Sequence, residues 1–293
     1  MSETIAPLRW GEHTLEWGTR THIMGIINVT PDSFSLDGLV TAESSEDELV
    51  RAAIARALAM VRDGATLIDV GGESTRPESA TRPALPESAE IARIVPVIRA
   101  LASTLPSGII MSVDTWKAGV AAAALDAGAS MVNDIWGLRA DDGMAAVVAD
   151  RGVPIVLMSN LRQAEKRDPV SDVASMLADS LARARAAGIP WEHTIVDPGF
   201  GFGLRGAENL QVLRRLGELR VFGRPILVGT SRKAHIGMVL GLPVEERLEG
   251  TAATVALAIA AGADIVRVHD VREMARVARM TDAVVRGWQE EVP

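Results

Sequence analysis

The chain has 293 residues and a mass of 31.1 kDa, enough for two average domains or one large α/β barrel. Thirty Lys+Arg against 38 Asp+Glu leave a net charge of −8. Nucleic acid and anionic membranes demand a basic footprint, so neither is an expected partner. With 48% hydrophobic and 23% charged residues the composition is that of a folded globular chain. The absence of cysteine excludes disulfides, thiolate metal sites and thiol nucleophiles, and fits a reducing, cytoplasmic setting.

The opening MSETIAPLRW has no basic stretch leading into an apolar core, so it does not read as a secretory signal. Residues 1–20, with Trp10 and Trp17, read as a capping hairpin that turns at Gly11–Glu12. Eight short apolar runs then recur at 22–28, 65–70, 108–113, 130–135, 154–159, 194–199, 225–230 and 263–268. Their apolar character is continuous rather than alternating, which marks parallel strands buried on both faces. Amphipathic stretches separate them. The first covers 46–63, with Leu49, Ile54, Leu58 and Val61 near helical spacing and Ser44 or Ser45 as its N-cap; the last covers 271–288. Residues 251–263 are greasy, but too short to span a bilayer.

Eight strand–helix units predict an α/β fold, a (β/α)8 TIM barrel over 21–293 as one domain, with the hairpin on its floor. An open doubly wound sheet is the alternative. No G-x-G-x-x-G follows the first run, which weakens its dinucleotide-binding form. Segments 35–47, 73–87 and 160–171 are long for βα loops and are therefore candidate functional loops.

In a barrel the carboxyl ends of the strands form the active face. Those ends carry Asn28, Asp69, Asp114, Asn133 with Asp134, Ser159 with Asn160, Asp197, Ser231 to Lys233, and Arg267 with His269 and Asp270. An Asp after one strand is usually a cap or turn former. Polar groups after all eight strands point instead to a ligand that completes their hydrogen bonding. Asp114, Asn133, Asp197 and Lys233 suit a flat heterocycle with amidine and lactam edges. Arg267 and His269, after the eighth run, suit an anion. The competing reading makes Arg267–Asp270 an internal salt bridge, with His269 capping a carbonyl. Only three lysines occur, Lys117, Lys166 and Lys233, so one inside GTSRKAHIG hints at a compact ammonium. His13, His22, His193 and His235 lack ligand spacing and read as surface or capping histidines. The six tryptophans read as helix packing or a dimer contact.

Seven motifs in order carry a family resemblance: NVTPDSFS (28–35), DVGGESTRP (69–77), SVDT (112–115), AGASMVNDIWG (127–137), DPGFGFG (197–203), GTSRKAHIG (229–237) and RVHD (267–270). Together they resemble the dihydropteroate synthase family of pterin-binding barrels, from about residue 21 onward. That resemblance implies condensation of a dihydropterin hydroxymethyl diphosphate with p-aminobenzoate, releasing pyrophosphate, in folate synthesis. It implies that Asp114, Asn133, Asp197 and Lys233 hold the pterin, with Phe202 and Met158 beside it and Asp69 beneath. Asn28 would bind Mg2+ with the diphosphate, Arg267 and His269 the diphosphate itself, and Thr75, Arg76 and Ser231 would face the aminobenzoate. The resemblance further implies a homodimer and sensitivity to sulfonamide- or sulfone-type inhibitors.

The chain also departs from the family pattern. Ser33-Phe34-Ser35-Leu36-Asp37-Gly38-Leu39 carries an inserted residue and lacks a glycine; Glu78-Ser79 follows Arg76-Pro77; Met158-Ser159-Asn160 replaces the usual Met-His pair; and Leu204 stands where a lysine often follows GFG. Lost glycines restrict backbone conformations in two loops that close over the reacting centre. The profile resembles the divergent second copy of the synthase found in some bacteria. The expectation is a retained pterin and diphosphate pocket with weak or absent turnover. The alternatives are a fully active synthase and a pterin-barrel methyltransferase.

Overall fold

A computed structural model describes residues 5–29, 45–73, 84–164 and 167–288. A short antiparallel pair comes first, β1 (Leu8–Trp10) with β2 (His13–Leu15), joined at Gly11–Glu12 with Trp10 facing His13. Gly11 has φ +49°, the left-handed conformation that tight hairpin turns require.

Eight parallel strands then alternate with helices: β3 (His22–Asn28), α1 (Glu46–Arg62), β4 (Leu67–Gly71), α2 (Glu87–Thr104), β5 (Ile110–Asp114), α3 (Ala118–Asp126), β6 (Met131–Asp134), α4 (Met144–Arg151), β7 (Ile155–Met158), α5 (Pro169–Ala186), β8 (Thr194–Asp197), α6 (Gly206–Arg214), β9 (Leu227–Val228), α7 (Ala234–Leu240), α8 (Leu248–Ala260), β10 (Ile265–Val268) and α9 (Val271–Val285). Strand order is β8-β7-β6-β5-β4-β3-β10-β9. The remaining seam closes through a parallel bridge between Val196 and Ile226, with the Val196 N–H donating to Pro225 O at 3.0 Å. The molecule is a (β/α)8 barrel with an N-terminal hairpin. The open-sheet alternative fails because β8 and β9 meet.

All eight strands fall on the eight apolar runs, because strands covered on both faces have no polar positions to hide them. The first helix starts where its cap chemistry dictates. The Ser45 N–H donates to Glu48 Oε2 at 2.8 Å, while the Glu48 N–H donates to Ser45 Oγ at 3.4 Å, forming a capping box. The last helix is shorter than its amphipathic pattern, ending at Val285 before Gly287 at φ +91°.

Side chains alternate across each strand, so every second residue enters the barrel. The layer nearest the strand N-termini is apolar: Met24, Leu67, Ile110, Met131, Val156, Ile195, Leu227 and Ile265, one from each strand. Leu8, Trp10, Leu15 and Trp17 of the hairpin segment pack into this same cluster. The Trp10 indole N–H donates to Ser130 O at 2.7 Å. These two tryptophans therefore seal the barrel floor rather than packing between helices. The histidine reading also needs correcting. His22, His193 and His235 are buried, and His22 reaches Glu16 O at 2.9 Å and Thr66 Oγ1 at 3.3 Å, holding the segment after β2 against the floor.

Candidate active site

Two residues further along each strand, the inward positions are Ile26, Asp69, Ser112, Asn133, Met158, Asp197, Gly229 and Arg267. One step toward the carboxyl rim the barrel interior thus turns from apolar to polar. Asp69, Ser112, Asn133 and Asp197 are all buried. Arg267 ties the layer together: Nε donates to Asp69 Oδ2 at 2.6 Å and Nη2 to Asp114 Oδ2 at 2.7 Å. The Asn133 Nδ2 donates to the same Asp69 oxygen at 3.0 Å. Asp114 stands beside Asn133 in the β5–β6 register.

The site is left with unused bonding capacity. Eight buried side-chain N or O atoms lack a hydrogen-bond partner among the described residues, and four are at this rim: Asp69 Oδ1, Ser112 Oγ, Asp114 Oδ1 and Ser159 Oγ. An unsatisfied buried polar atom costs about 1–3 kcal/mol. A native protein retains such a cluster where a ligand supplies the missing partners. Burial pushes the Asp114 carboxyl well above the usual carboxylate range even with Arg267 alongside. Burial likewise raises Asp197 to about 6, against the pull of Lys233 and the Gly199 N–H. It lowers Lys233 to about 8, partly offset by Asp197. Three carboxylates (Asp69, Asp114, Asp197) thus face two cations, and two of them keep an oxygen open to an N–H donor.

The DPGFGFG motif forms one wall. Gly199 and Gly203 are required there by both φ and space. At φ +74° and +92°, a Cβ would lie 1.8 Å from Ser159 O and 2.2 Å from the Leu161 carbonyl carbon. Lys233 lies across Gly201 and donates to Phe200 O. The Phe202 ring is in reach of two cations, with Lys233 Nζ at 4.7 Å and Arg162 Cζ at 4.6 Å from its centroid. Met158 is buried at the end of β7. Asn209, on α6, fastens this wall from behind: Oδ1 accepts from the Gly201 N–H at 2.8 Å and Nδ2 donates to Leu204 O at 3.0 Å. Sequence reasoning missed Asn209, since an Asn inside a helix carries no signal of which loop it reaches.

After the neighbouring strands β9 and β10, Ser231 Oγ and His269 Nδ1 are 3.0 Å apart, and the His269 N–H donates to Ser231 Oγ at 3.2 Å. Burial, with Arg267 and Arg232 nearby, drives the imidazole down to about 3, so it is neutral at pH 7. Arg232 pairs with Asp270, Nε to Oδ2 at 2.9 Å. The internal Arg267–Asp270 bridge is therefore not formed, because Asp270 is taken by Arg232 and Arg267 by the two aspartates. Arg232 itself has φ +56°, an uncommon conformation for a non-glycine residue that often marks functional turns. Asn28 ends β3 beside Gly71, on the same rim. No cluster of three His, Cys, Asp or Glu able to hold a metal occurs among the described residues. Thr75 and Arg76, the altered segments 33–39 and 78–79, and Lys166 lie outside those residues.

The pterin binding enzyme family model matches residues 24–269, reaching all eight strands of the barrel. The chain belongs to the dihydropteroate synthase family of pterin-binding barrels. Dihydropteroate synthase of Bacillus subtilis (strain 168) is 46% identical over 271 residues, covering 92% of this chain and 91% of that one. A Clostridium difficile dihydropteroate synthase solved in the presence of pteroic acid superposes with a TM-score of 0.86 at 44% identity, over 93% of this chain and 99% of that one. A Xanthomonas albilineans dihydropteroate synthase solved with 4-aminobenzoic acid gives 0.84 at 40% identity, over 96% of each chain. The family's reaction belongs to folate biosynthesis and is a group transfer.

Proposed function

We propose that this chain condenses a dihydropterin hydroxymethyl diphosphate with p-aminobenzoate to give dihydropteroate and pyrophosphate. The observation that carries the reading is the pair of enclosed carboxyls, Asp69 and Asp114, each with an oxygen left unbonded beside Asn133, opening on the same rim as Asp197, Lys233 and the Ser231–His269 pair. Asp114 and Asp197 accept from the ring N–H groups of the pterin, Asn133 and Lys233 donate to its carbonyl and ring nitrogens, and Phe202 and Met158 pack beside it. Asp69 lies beneath. Arg267, His269 and Asn28 face the diphosphate and Ser231 faces the aminobenzoate, a role that the resemblance also assigns to Thr75 and Arg76, outside the described residues.

In the reaction the C–O bond to the diphosphate breaks and its electron pair leaves with pyrophosphate. The aminobenzoate nitrogen then bonds to the exposed methylene carbon and sheds a proton. Buried carboxylates stabilise the cation that forms, while cations on the rim stabilise the leaving group. Asn28 offers a single hard oxygen, which fits Mg2+ held mostly by diphosphate oxygens and water. When bound, that ion would neutralise charge on the departing diphosphate.

A low-turnover version of the same enzyme is the second reading. The inserted residue and missing glycine in 33–39, together with Glu78-Ser79, favour it, because loop geometry governs kcat more than binding. Calorimetry with the pterin diphosphate, followed by steady-state assay with both substrates and Mg2+, tests both readings. Tight binding with pteroate formation at ordinary rates supports the full synthase, and tight binding with little product supports the low-turnover form. Failure to bind the diphosphate, with reduced folates binding instead, would replace both by a methyltransferase. The exposed Leu257, Met280 and Val284 on the packed helices α8 and α9 support a homodimer through this face, testable by light scattering. Sulfonamides are expected to compete with p-aminobenzoate.

A further inference from the structure

Lys117 is buried, yet no step of the proposed reaction uses it. Its ammonium has three donors, and all three are used: Glu73 Oε2 at 2.9 Å, Leu85 O at 2.6 Å and Glu90 Oε2 at 2.5 Å. Three acceptors converging on one point suit a compact ammonium and not a planar guanidinium, which accounts for a lysine in a chain dominated by arginine. Glu90 belongs to α2 and is 1% exposed. Glu73 and Leu85 are the two stems of segment 74–84, which contains Thr75 and Arg76. The stems are also joined directly, the Leu85 N–H donating to Glu73 Oε1 at 2.6 Å. Behind them Gly72 presses on α2, where a Cβ would lie 2.7 Å from Ile94 Cγ2, and Arg93 Nη1 donates to Gly72 O at 3.1 Å.

The other end of this arrangement is the pterin pocket. Lys117 lies three residues beyond Asp114, and its backbone N–H donates to Thr115 Oγ1 at 3.3 Å, while the Thr115 N–H donates to Asn133 O at 3.2 Å. The strand end that carries Asp114 therefore also carries the cation that gathers both stems.

We propose that Lys117, acting through Glu73 and Leu85, is a positioning residue that sets where the aminobenzoate-facing segment emerges relative to the bound pterin. The proposal rests on the synthase reading, in which Thr75 and Arg76 face the aminobenzoate. Lys117 touches no substrate. Its removal should misplace the second substrate while the first still binds, and a shift of about 1 Å at a reacting pair can cost on the order of 10²-fold.

The test uses the full chain with Glu73→Ala as the first variant, which frees the Glu73 stem and breaks the direct link between the stems but leaves Lys117 on Leu85 and Glu90, and Lys117→Met as the second. The expected result is a KM for p-aminobenzoate raised roughly tenfold or more, with the pterin diphosphate Kd unchanged within about twofold. Hydrogen exchange should accelerate at the amides of 72–73 and 84–85, with no rise in the barrel strands. An unchanged KM overturns the proposal, and so does equal weakening of both substrates with exchange rising throughout the barrel, the mark of a general structural role. If Lys117→Met does not fold, Glu73→Ala decides alone. A wild-type chain that neither binds the pterin diphosphate nor forms pteroate refutes the functional reading instead. Exchange in the variants then still reports whether the clamp exists.

Discussion

The two ends of the barrel interior are built from the same strands, two residues apart, and are opposites. At the floor, one apolar side chain from each strand meets Leu8, Trp10, Leu15 and Trp17 of the hairpin segment. At the rim, the next inward positions bring Asp69, Ser112, Asn133, Asp197 and Arg267 into the same kind of enclosed space, with four polar atoms left without partners. The floor gains stability from burial, and the rim loses some of it to hold groups that only a ligand satisfies. A barrel can carry this because the floor closes the interior without help from the site.

The sharpest way to break this contrast is to damage each end separately. Trp10→Ala should destabilise the protein by about 3–5 kcal/mol, as removal of a large buried aromatic does, and leave substrate KM values unchanged in the folded fraction. Denaturant unfolding with parallel kinetics checks both halves.

At the rim the effect on stability should have the opposite sign. Asp197 is fully enclosed and its carboxyl is raised to about 6 by burial. Its folded value thus lies above its unfolded one, so ionisation costs stability at neutral pH and the cost is relieved as pH falls through 6. Asp197→Asn keeps an acceptor for the Gly199 N–H, now at 2.7 Å from Oδ1, and removes the charge. The empty protein should become more stable at pH 7, on the order of 1–3 kcal/mol, while pterin affinity falls roughly 100-fold. Thermal melts and calorimetry on one preparation give both numbers. A variant that is destabilised and still binds would contradict the account.

The same groups set a pH profile. Pterin binding requires Asp114 and Asp197 ionised and Lys233 protonated, so affinity should rise as pH passes through 6 to 7 and fall as it passes 8. Lys233→Met should abolish the alkaline limb and keep the acid one. A flat profile between pH 5 and 9 would remove these three residues from the binding set.

The smallest effect belongs to a helix cap outside the barrel interior. Ser45→Ala deletes the cap of α1 and should cost about 1 kcal/mol, with no change in either KM. Any kinetic change would tie α1 to the site more closely than its cap geometry does.

Much of this was legible from the residues alone. The eight strands could be read off because continuous apolar runs such as HIMGIIN and PIVLMS have no other use in an α/β chain of this length. The polar groups after them could be read as a site because they recur at every strand end. Ser45 was legible because capping is decided within four residues. The identity of partners was not. Arg267 reads as an anion ligand beside His269, and nothing local shows that it also spans Asp69 and Asp114 or that Arg232 takes Asp270. His22, His193 and His235 look like surface residues by spacing and are buried. Lys117 and Asn209 give no local hint of the loops they hold.

The amino-acid order by itself determined which segments become strands and helices, that they number eight strand–helix pairs, and that polar groups gather at one rim, since these depend on short-range periodicity and on the common direction of parallel strands. Only the closed barrel decided which carboxylate meets which cation. Closure brings β10 beside β3, and so Arg267 to Asp69 across 198 residues of chain. Pairings at that separation are set by which strands become neighbours and by the inward–outward alternation of their side chains, and no local pattern records either.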